Sequence, residues 1–196
     1  AELTRFARLT TGHTLLETKQ ISELEPMLAD RFTRALHYPG EAHMTTPDAL
    51  ARLVGHARAS GAQFYFGTAF DLNDHAQTDT IVIDCRGMAA REQLPSLRGV
   101  RGERLIVRTP EVDLARPVRL LHPRHPLYVV PWTGNRFLIG ATVIESEDPS
   151  AMTVRSALEL LGLAYSLHPA FGEAETIDMG AGIRPAFPDN VPRIIA

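Results

Sequence analysis

The sequence predicts a chain of two characters: a piece of a parallel α/β layer, then an antiparallel sheet that carries one helix. Two observations carry this. A helical stripe over 47–60 leads into two strand-like runs, Gln63-Phe-Tyr-Phe66 and Thr80-Ile-Val-Ile83, the first aromatic and the second β-branched. From Gly99 onward the pattern changes to short strands punctuated by Pro and Gly, with a single amphipathic helix among them.

Taken in order, Ala1 to Leu9 has helical spacing through Leu3, Phe6, Ala7 and Leu9. A second short segment carries Ile21, Leu24 and Leu28 and breaks near Pro26. Thr46 before Pro47 reads as a helix cap, with Leu50, Leu53, Val54 and Ala57 as the buried stripe up to Gly61. Asn73-Asp-His75 reads as a polar turn between the two strand-like runs. Strands are then expected at Arg104–Val107, Val118–Leu121, Leu127–Val130 and Arg136–Ile144, with Thr133-Gly-Asn135 turning the last two into a hairpin. Thr153 to Leu167 reads as a helix with Val154, Ala157, Leu158, Leu161 and Ala164 on one face, stopped by His168-Pro169. Glu175 to Met179 reads as a last strand that enters a tight turn, Gly180-Ala-Gly-Ile-Arg-Pro185, with an arginine at its tip.

Composition excludes several classes. With 44% hydrophobic and 22% charged residues the 196-residue chain has material for a core. A net charge of −3 offers no basic field for nucleic acid. One cysteine, Cys85, rules out an internal disulfide framework and fits a reducing cytoplasm. No apolar run is long enough to span a bilayer. The chain opens without Met and closes on an apolar run, so it reads as a piece of a longer protein.

Local motifs are mostly bland. Gly180-Ala-Gly182 opens like a dinucleotide fingerprint, but Pro185 stands where the third glycine belongs. Gly99-Val-Arg-Gly102 reads as a plain turn, and Cys85 as a small buried residue at a strand end. His122-Pro-Arg-His125 lacks the helical spacing of a zinc pair, so no metal is expected. No Gly-x-Ser-x-Gly elbow is present. Arg184, between Gly182 and Pro185, suits bidentate capture of a carboxylate, although a plain surface arginine or a salt bridge to Asp178 or Asp189 is an equal alternative. Tyr128 could hydrogen-bond a ligand or cap a sheet face.

The order of the motifs is more telling than any one of them. Ala42-His-Met-Thr-Thr-Pro-Asp-Ala-Leu50, Gly61-Ala-Gln-Phe64, Ile81-Val-Ile-Asp-Cys-Arg-Gly87, Val100-Arg-Gly-Glu103, Tyr128-Val-Val-Pro131, Leu138-Ile-Gly-Ala-Thr142 and Ala181-Gly-Ile-Arg-Pro185 follow one another as landmarks do in the glycine-oxidising branch of the D-amino acid oxidase family, and the chain resembles that family over essentially its whole length. The resemblance implies an FAD-binding Rossmann-like layer, incomplete here, interleaved with an antiparallel substrate-binding domain. It assigns 1–40 and 88–181 to the substrate domain, and 41–87 and 182–196 to the FAD domain.

The resemblance also implies roles. Arg184 pairs with the substrate carboxylate, Tyr128 helps hold it, and Val143 is the apolar side chain near flavin and substrate. Phe70 meets the adenine, while Cys85, Arg86, Gly87 and Ile183 lie near the cofactor. The implied activity is oxidation of glycine or another small amino acid or amine to the imine, with hydride transfer to flavin and peroxide release from oxygen, in thiamine biosynthesis. No acid–base pair is then required, and the family's habit implies a cytoplasmic homo-oligomer with neither membrane nor nucleic acid as partner. Two departures stand out: the sequence carries no Gly-x-Gly-x-x-Gly, and Asp84-Cys-Arg-Gly87 replaces a smaller-residue version. An FAD dehydrogenase with another electron acceptor, and a carboxylate-binding remnant without flavin, stay open as alternatives.

Overall fold

The computed structural model describes residues 2–71, 81–123 and 126–195; the turn at 73–75, Thr80 and His125 lie outside them. The chain divides into one compact unit of residues 1–44 and 99–184 and another of 45–98 and 185–196.

The first unit is built on alternation. Helix α1 (Glu2–Leu9) precedes a two-stranded antiparallel sheet, β1 (Thr14–Glu17) with β2 (Arg34–His37), which flanks α2 (Thr18–Leu24) and a 3-10 turn at Pro26–Leu28. The larger sheet contains β3 (Arg98–Arg108), β4 (Val118–Leu120), β5 (Leu127–Trp132), β6 (Arg136–Gly140) and β7 (Glu175–Ala186), in the order β4-β5-β6-β3-β7. Every second residue points to one face. Leu105 and Val107 of β3, Leu127 and Val129 of β5, and Phe137 and Ile139 of β6 are buried. They form one core with Leu160, Ala164 and Leu167 of α4 (Val154–Leu167), Phe171, and Ile21 and Leu28 from the α2 region. Phe137 meets Phe171 edge to face at 5.3 Å. Each fully buried aliphatic side chain of this kind contributes about 1.5–3 kcal/mol. Residues of opposite parity, among them Tyr128, Leu138, Gly140, Arg104 and Ile106, stand on the other face.

The β5–β6 hairpin turns at Gly134 and Asn135, both with left-handed φ (73° and 55°), as the Thr-Gly-Asn sequence requires. Thr153 caps α4 by accepting the Ser156 N–H at 3.2 Å. At the other end the Arg31 guanidinium donates to the carbonyls of Ser166 and Leu167, satisfying acceptors that the helix leaves free.

His168 follows, and its Nδ1 accepts the Ala170 N–H at 3.2 Å to open a 3-10 turn. Burial, then the charge of Arg31, pushes the imidazole below its ordinary pKa of 6.5. A depressed native pKa gives stability that is full above the unfolded value and lost as pH falls through the native one. The melting temperature is therefore expected to drop from about pH 7 to about pH 5 more steeply in the native protein than in His168→Asn, which keeps an acceptor and does not titrate. Parallel curves would remove His168 from the account.

The second unit holds α3 (Thr46–Ala59), a 3-10 helix (Gly87–Glu92) and a small cluster of Ala90, Leu94, Leu97 and Phe187. Here several expectations are corrected. Gln63–Phe66 and Ile81–Ile83 are not strands, because no neighbouring strand offers their backbone a ladder among the described residues. The cap of α3 is Thr45, which puts Thr46 inside the helix. Leu50 and Leu53 are exposed at 58% and 62%, so the apolar stripe of α3 is not buried in this unit.

The first unit brings corrections too. Gly99–Gly102 is not a turn but part of the 11-residue strand β3, and Gly180–Pro185 continues β7 as extended backbone. Glycine-rich sequence suggests turn chemistry, whereas none of these glycines has a left-handed φ, and Gly99, Gly102 and Gly180 leave room for side chains packed over them. On α4 the buried side is Ser156, Leu160, Ala164 and Leu167, with Val154 and Leu158 exposed. The helix is apolar on more than one side, and contact with the sheet selects which is buried. β6 ends at Gly140, and Ile144 makes only an isolated bridge to Arg101. No helix among the described residues is long and apolar enough to cross a membrane.

Candidate carboxylate site on the sheet face

The free face of the sheet brings two of the expected residues close. On β5 Tyr128 lies directly opposite Gly140 of β6, and its phenol leans over that glycine: a Cβ there would sit 2.8 Å from Oη. Arg184 on β7 lies over Gly102 of β3, and a methyl group at 102 would overlap its guanidinium. Neither glycine has a left-handed φ, so what each position demands is empty volume. Gly140 pairs with Arg104, and Gly102 is two residues farther along β3. Strand spacing and rise then separate the two glycines by roughly 8 Å. That gap suits one carboxylate contacted from both sides.

Arg184 is available for such a role. Asp178 is taken by Arg104 at 2.5 Å and Asp189 by Arg193 at 2.6 Å, so the salt-bridge alternatives do not hold. Among the described residues Arg184 makes no ion pair, and its Nη1 donates only to the Thr142 carbonyl, at 3.3 Å. Its guanidinium is exposed and keeps most of its five donors without a partner among the described residues.

Beneath it lies a rigid support. Thr142 is buried; its Oγ1 accepts the Glu103 N–H at 2.9 Å, and its own N–H donates to the Glu103 carbonyl at 3.2 Å. Arg101 and Glu103 are 3% and 0% exposed and bonded at 2.8 Å. Arg101 also donates to the carbonyls of Asp148 and Ala151, and the Glu103 carboxylate accepts the Thr153 N–H at the start of α4. Burial pushes the Glu103 carboxyl up, but bonds from Ser156, Arg101 and Thr153 outweigh it and hold the group below the usual carboxylate range. Sequence reasoning misses Gly102, Thr142 and this pair. The one available signal is glycine recurring on strands, which in sequence alone suits turns equally well.

Within the first unit, Val143 and Ile183 are not part of this pair. Val143 is 72% exposed beside Thr142. Ile183 packs its side chain over Gly99. In the second unit Phe70 is 56% exposed, and Cys85 is exposed where the sequence suggests a buried position, because the run before it forms no strand. Arg86 donates to both oxygens of Asp84, at 2.9 and 2.8 Å, and these bonds lower the Asp84 carboxyl to about 2. Gly87 has φ of 64°, with only Pro185 Cγ, 3.8 Å from its would-be Cβ, nearby. No cluster of three metal-binding side chains occurs among the described residues. A cavity of about 870 Å³ between α1, α2, β2 and β4 excludes Tyr128 and Arg184. Of its charged lining, Glu25 bonds Arg116 at 3.0 Å and Arg119 lies over the Phe6 ring.

A Rhizobium etli protein assigned, as ThiO, to thiamine biosynthesis is 51% identical over 194 residues, covering 98% of this chain and 58% of its own. The glycine oxidase of Geobacillus kaustophilus is 30% identical, over 87% of this chain and 49% of its own. Its crystal structure superposes with a TM-score of 0.73, covering 97% of this chain and 55% of that one. The chain thus spans about half the length of the relatives it matches. The family model described as FAD dependent oxidoreductase matches residues 1–196, and so the chain belongs to that family.

Proposed function

We propose that the chain is the substrate-binding part, with a portion of the cofactor domain, of an oxidase that converts glycine or another small amino acid to its imine. The observation that carries this is the guanidinium of Arg184, without an ion pair among the described residues and seated on Gly102, on the same sheet face as the phenol of Tyr128. Arg184 holds the substrate carboxylate bidentately, Tyr128 donates to it from the other side, and the α-carbon is thereby fixed in one orientation. The Arg101–Glu103 pair keeps Thr142, and through its carbonyl Arg184, in register. The second unit takes the role of FAD-domain portion. Gly87, with its left-handed φ, lets backbone approach the cofactor, and Phe70 and Cys85 are exposed on the same unit. Arg86 is committed to Asp84 and is the least available of the expected contacts.

The chemistry that FAD supplies when bound is removal of a hydride from the α-carbon and its delivery to oxygen as peroxide. The chain's own residues need only bind and orient. The imine is then hydrolysed or passed to thiazole formation.

The decisive experiment is an anaerobic absorbance spectrum of the full-length protein before and after glycine. Flavin bands that bleach support the reading; bands that persist with every small amino acid, or no flavin, overturn it. Peroxide on admitting air separates an oxidase from a dehydrogenase. Tyr128→Phe removes one hydrogen bond, an effect of about 1 kcal/mol, so the KM for glycine is expected to rise about fivefold with kcat little changed. Unaltered kinetics would take Tyr128 out of the site.

A further inference from the structure

The cavity along β4 is built from the first unit alone, and the clamp reading gives it no task. Its volume, about 870 Å³, is that of a site for a small organic molecule. Leu3 and Phe6 of α1, Leu24 of α2, Phe32, and Val118 and Leu120 of β4 give it an apolar wall. Neither Tyr128 nor Arg184 lines it, although β4 is the strand next to the one that carries Tyr128.

The aromatic side of this wall is held in place. Phe6 meets Tyr38 edge to face at 6.4 Å, and the Tyr38 hydroxyl lies 2.6 Å from Thr10 Oγ1. Thr10 Oγ1 donates to the Phe6 carbonyl at 2.9 Å, so its one proton is spent and the phenol is the donor between the two hydroxyls. Arg116 fixes the opposite side by donating to the Leu24 carbonyl at 2.7 Å and to Glu25 at 3.0 Å.

Most of the lining charges cancel. Glu25 answers Arg116, Glu17 lies 3.6 Å from Arg34, and Arg5 lies 3.4 Å from Glu2. Arg119 and Glu41 are the charged liners without an ion pair among the described residues. What fixes them differs. The Arg119 guanidinium lies 5.3 Å over the Phe6 ring, which attracts its charge but takes none of its five N–H donors as a carboxylate would. Glu41 is exposed, makes no side-chain hydrogen bond among the described residues, and keeps its water. An apolar wall with one fixed cation and free donors is the complement of an apolar body with one anionic head.

We propose that this cavity is a second ligand site and that it takes a small apolar carboxylate, its head on Arg119 and its body against Phe6, Leu3 and Leu24. Glycine has no such body, so the occupant is not the substrate of the clamp. The two sites share no residue, and each reading stands or falls without the other.

The test is calorimetric titration of the full-length protein with diphenylacetate and with diphenylacetamide, which keeps the shape and loses the charge. The carboxylate is expected to bind about fivefold more tightly, as one partly exposed charge-assisted contact supplies. In Arg119→Gln the ratio is expected to fall to within about twofold of one, whereas in Arg184→Met it is expected to persist. Equal affinities in the native protein, no binding of either probe, or a preference that survives Arg119→Gln and vanishes in Arg184→Met overturn the proposal; the last outcome places the probe on the clamp. Leu3→Asn, on the half-buried side of α1, is expected to weaken both probes about threefold or more and to keep their ratio. Unchanged affinities there overturn the cavity as the seat of the apolar body, even if Arg119→Gln fails to fold.

Discussion

Arg184→Met in the full-length protein is expected to lower kcat/KM for glycine about 100-fold or more, mostly through KM, while the melting temperature stays within a degree or two of the native value. The size follows from removing a bidentate, charge-assisted contact and leaving the substrate carboxylate opposite an apolar side chain, about 3 kcal/mol or more. The fold is expected to be spared because the guanidinium is exposed, makes no ion pair among the described residues and donates only one long bond, to Thr142. Arg184→Lys restores the charge without the planar fork and should recover only part of the loss. Steady-state kinetics with a parallel melt checks this. A kcat/KM within threefold of native removes Arg184 from substrate binding.

The second large effect falls on stability. Arg101→Met leaves the Glu103 carboxylate, fully buried, without its cation, and breaking such a pair costs about 3–5 kcal/mol. It also frees the carbonyls of Asp148 and Ala151, which Arg101 ties to β3. Each kcal/mol shifts the melting temperature by about 2–4 °C for a protein of this size, so a fall of about 10 °C is expected. Arg101→Met with Glu103→Leu removes both charges and should regain part of it. The native protein should also weaken in acid. The Glu103 carboxyl titrates lower folded than unfolded, so its contribution is present above about pH 4.5 and lost as pH falls through the native value. A single variant as stable as the native protein would show that the pair is not a structural element.

What the sequence disclosed, and what it did not, divides along physical lines. α4 with its Thr153 cap, the body of α3 and the hairpin at Gly134–Asn135 are specified by local chemistry and lie close to where periodicity and turn residues place them. Strand existence was legible in β5 and β6, whose alternation matches the core face. The glycine-bearing ends of β3 and β7 were not, because a glycine that makes room and a glycine that makes a turn look alike in one dimension. Gln63–Phe66 and Ile81–Ile83 failed for another reason: β-propensity expresses itself only when a neighbouring strand takes the hydrogen bonds. β1 and β2 are four residues each and carry too little pattern to be seen. Tyr128 and Arg184 emerged from the order of motifs, while Gly102 and Thr142 needed three dimensions.

The two glycine seats have a consequence for how such a face can change. Gly102 and Gly140 touch the far ends of long side chains, so adding one methyl group at either of them meets a movable head and leaves the sheet's hydrogen bonds alone. A single carbon at 102 or 140 therefore lifts one functional group at a time. The fold is expected to stay intact while, on the proposed reading, each added carbon redraws the outline of the ligand.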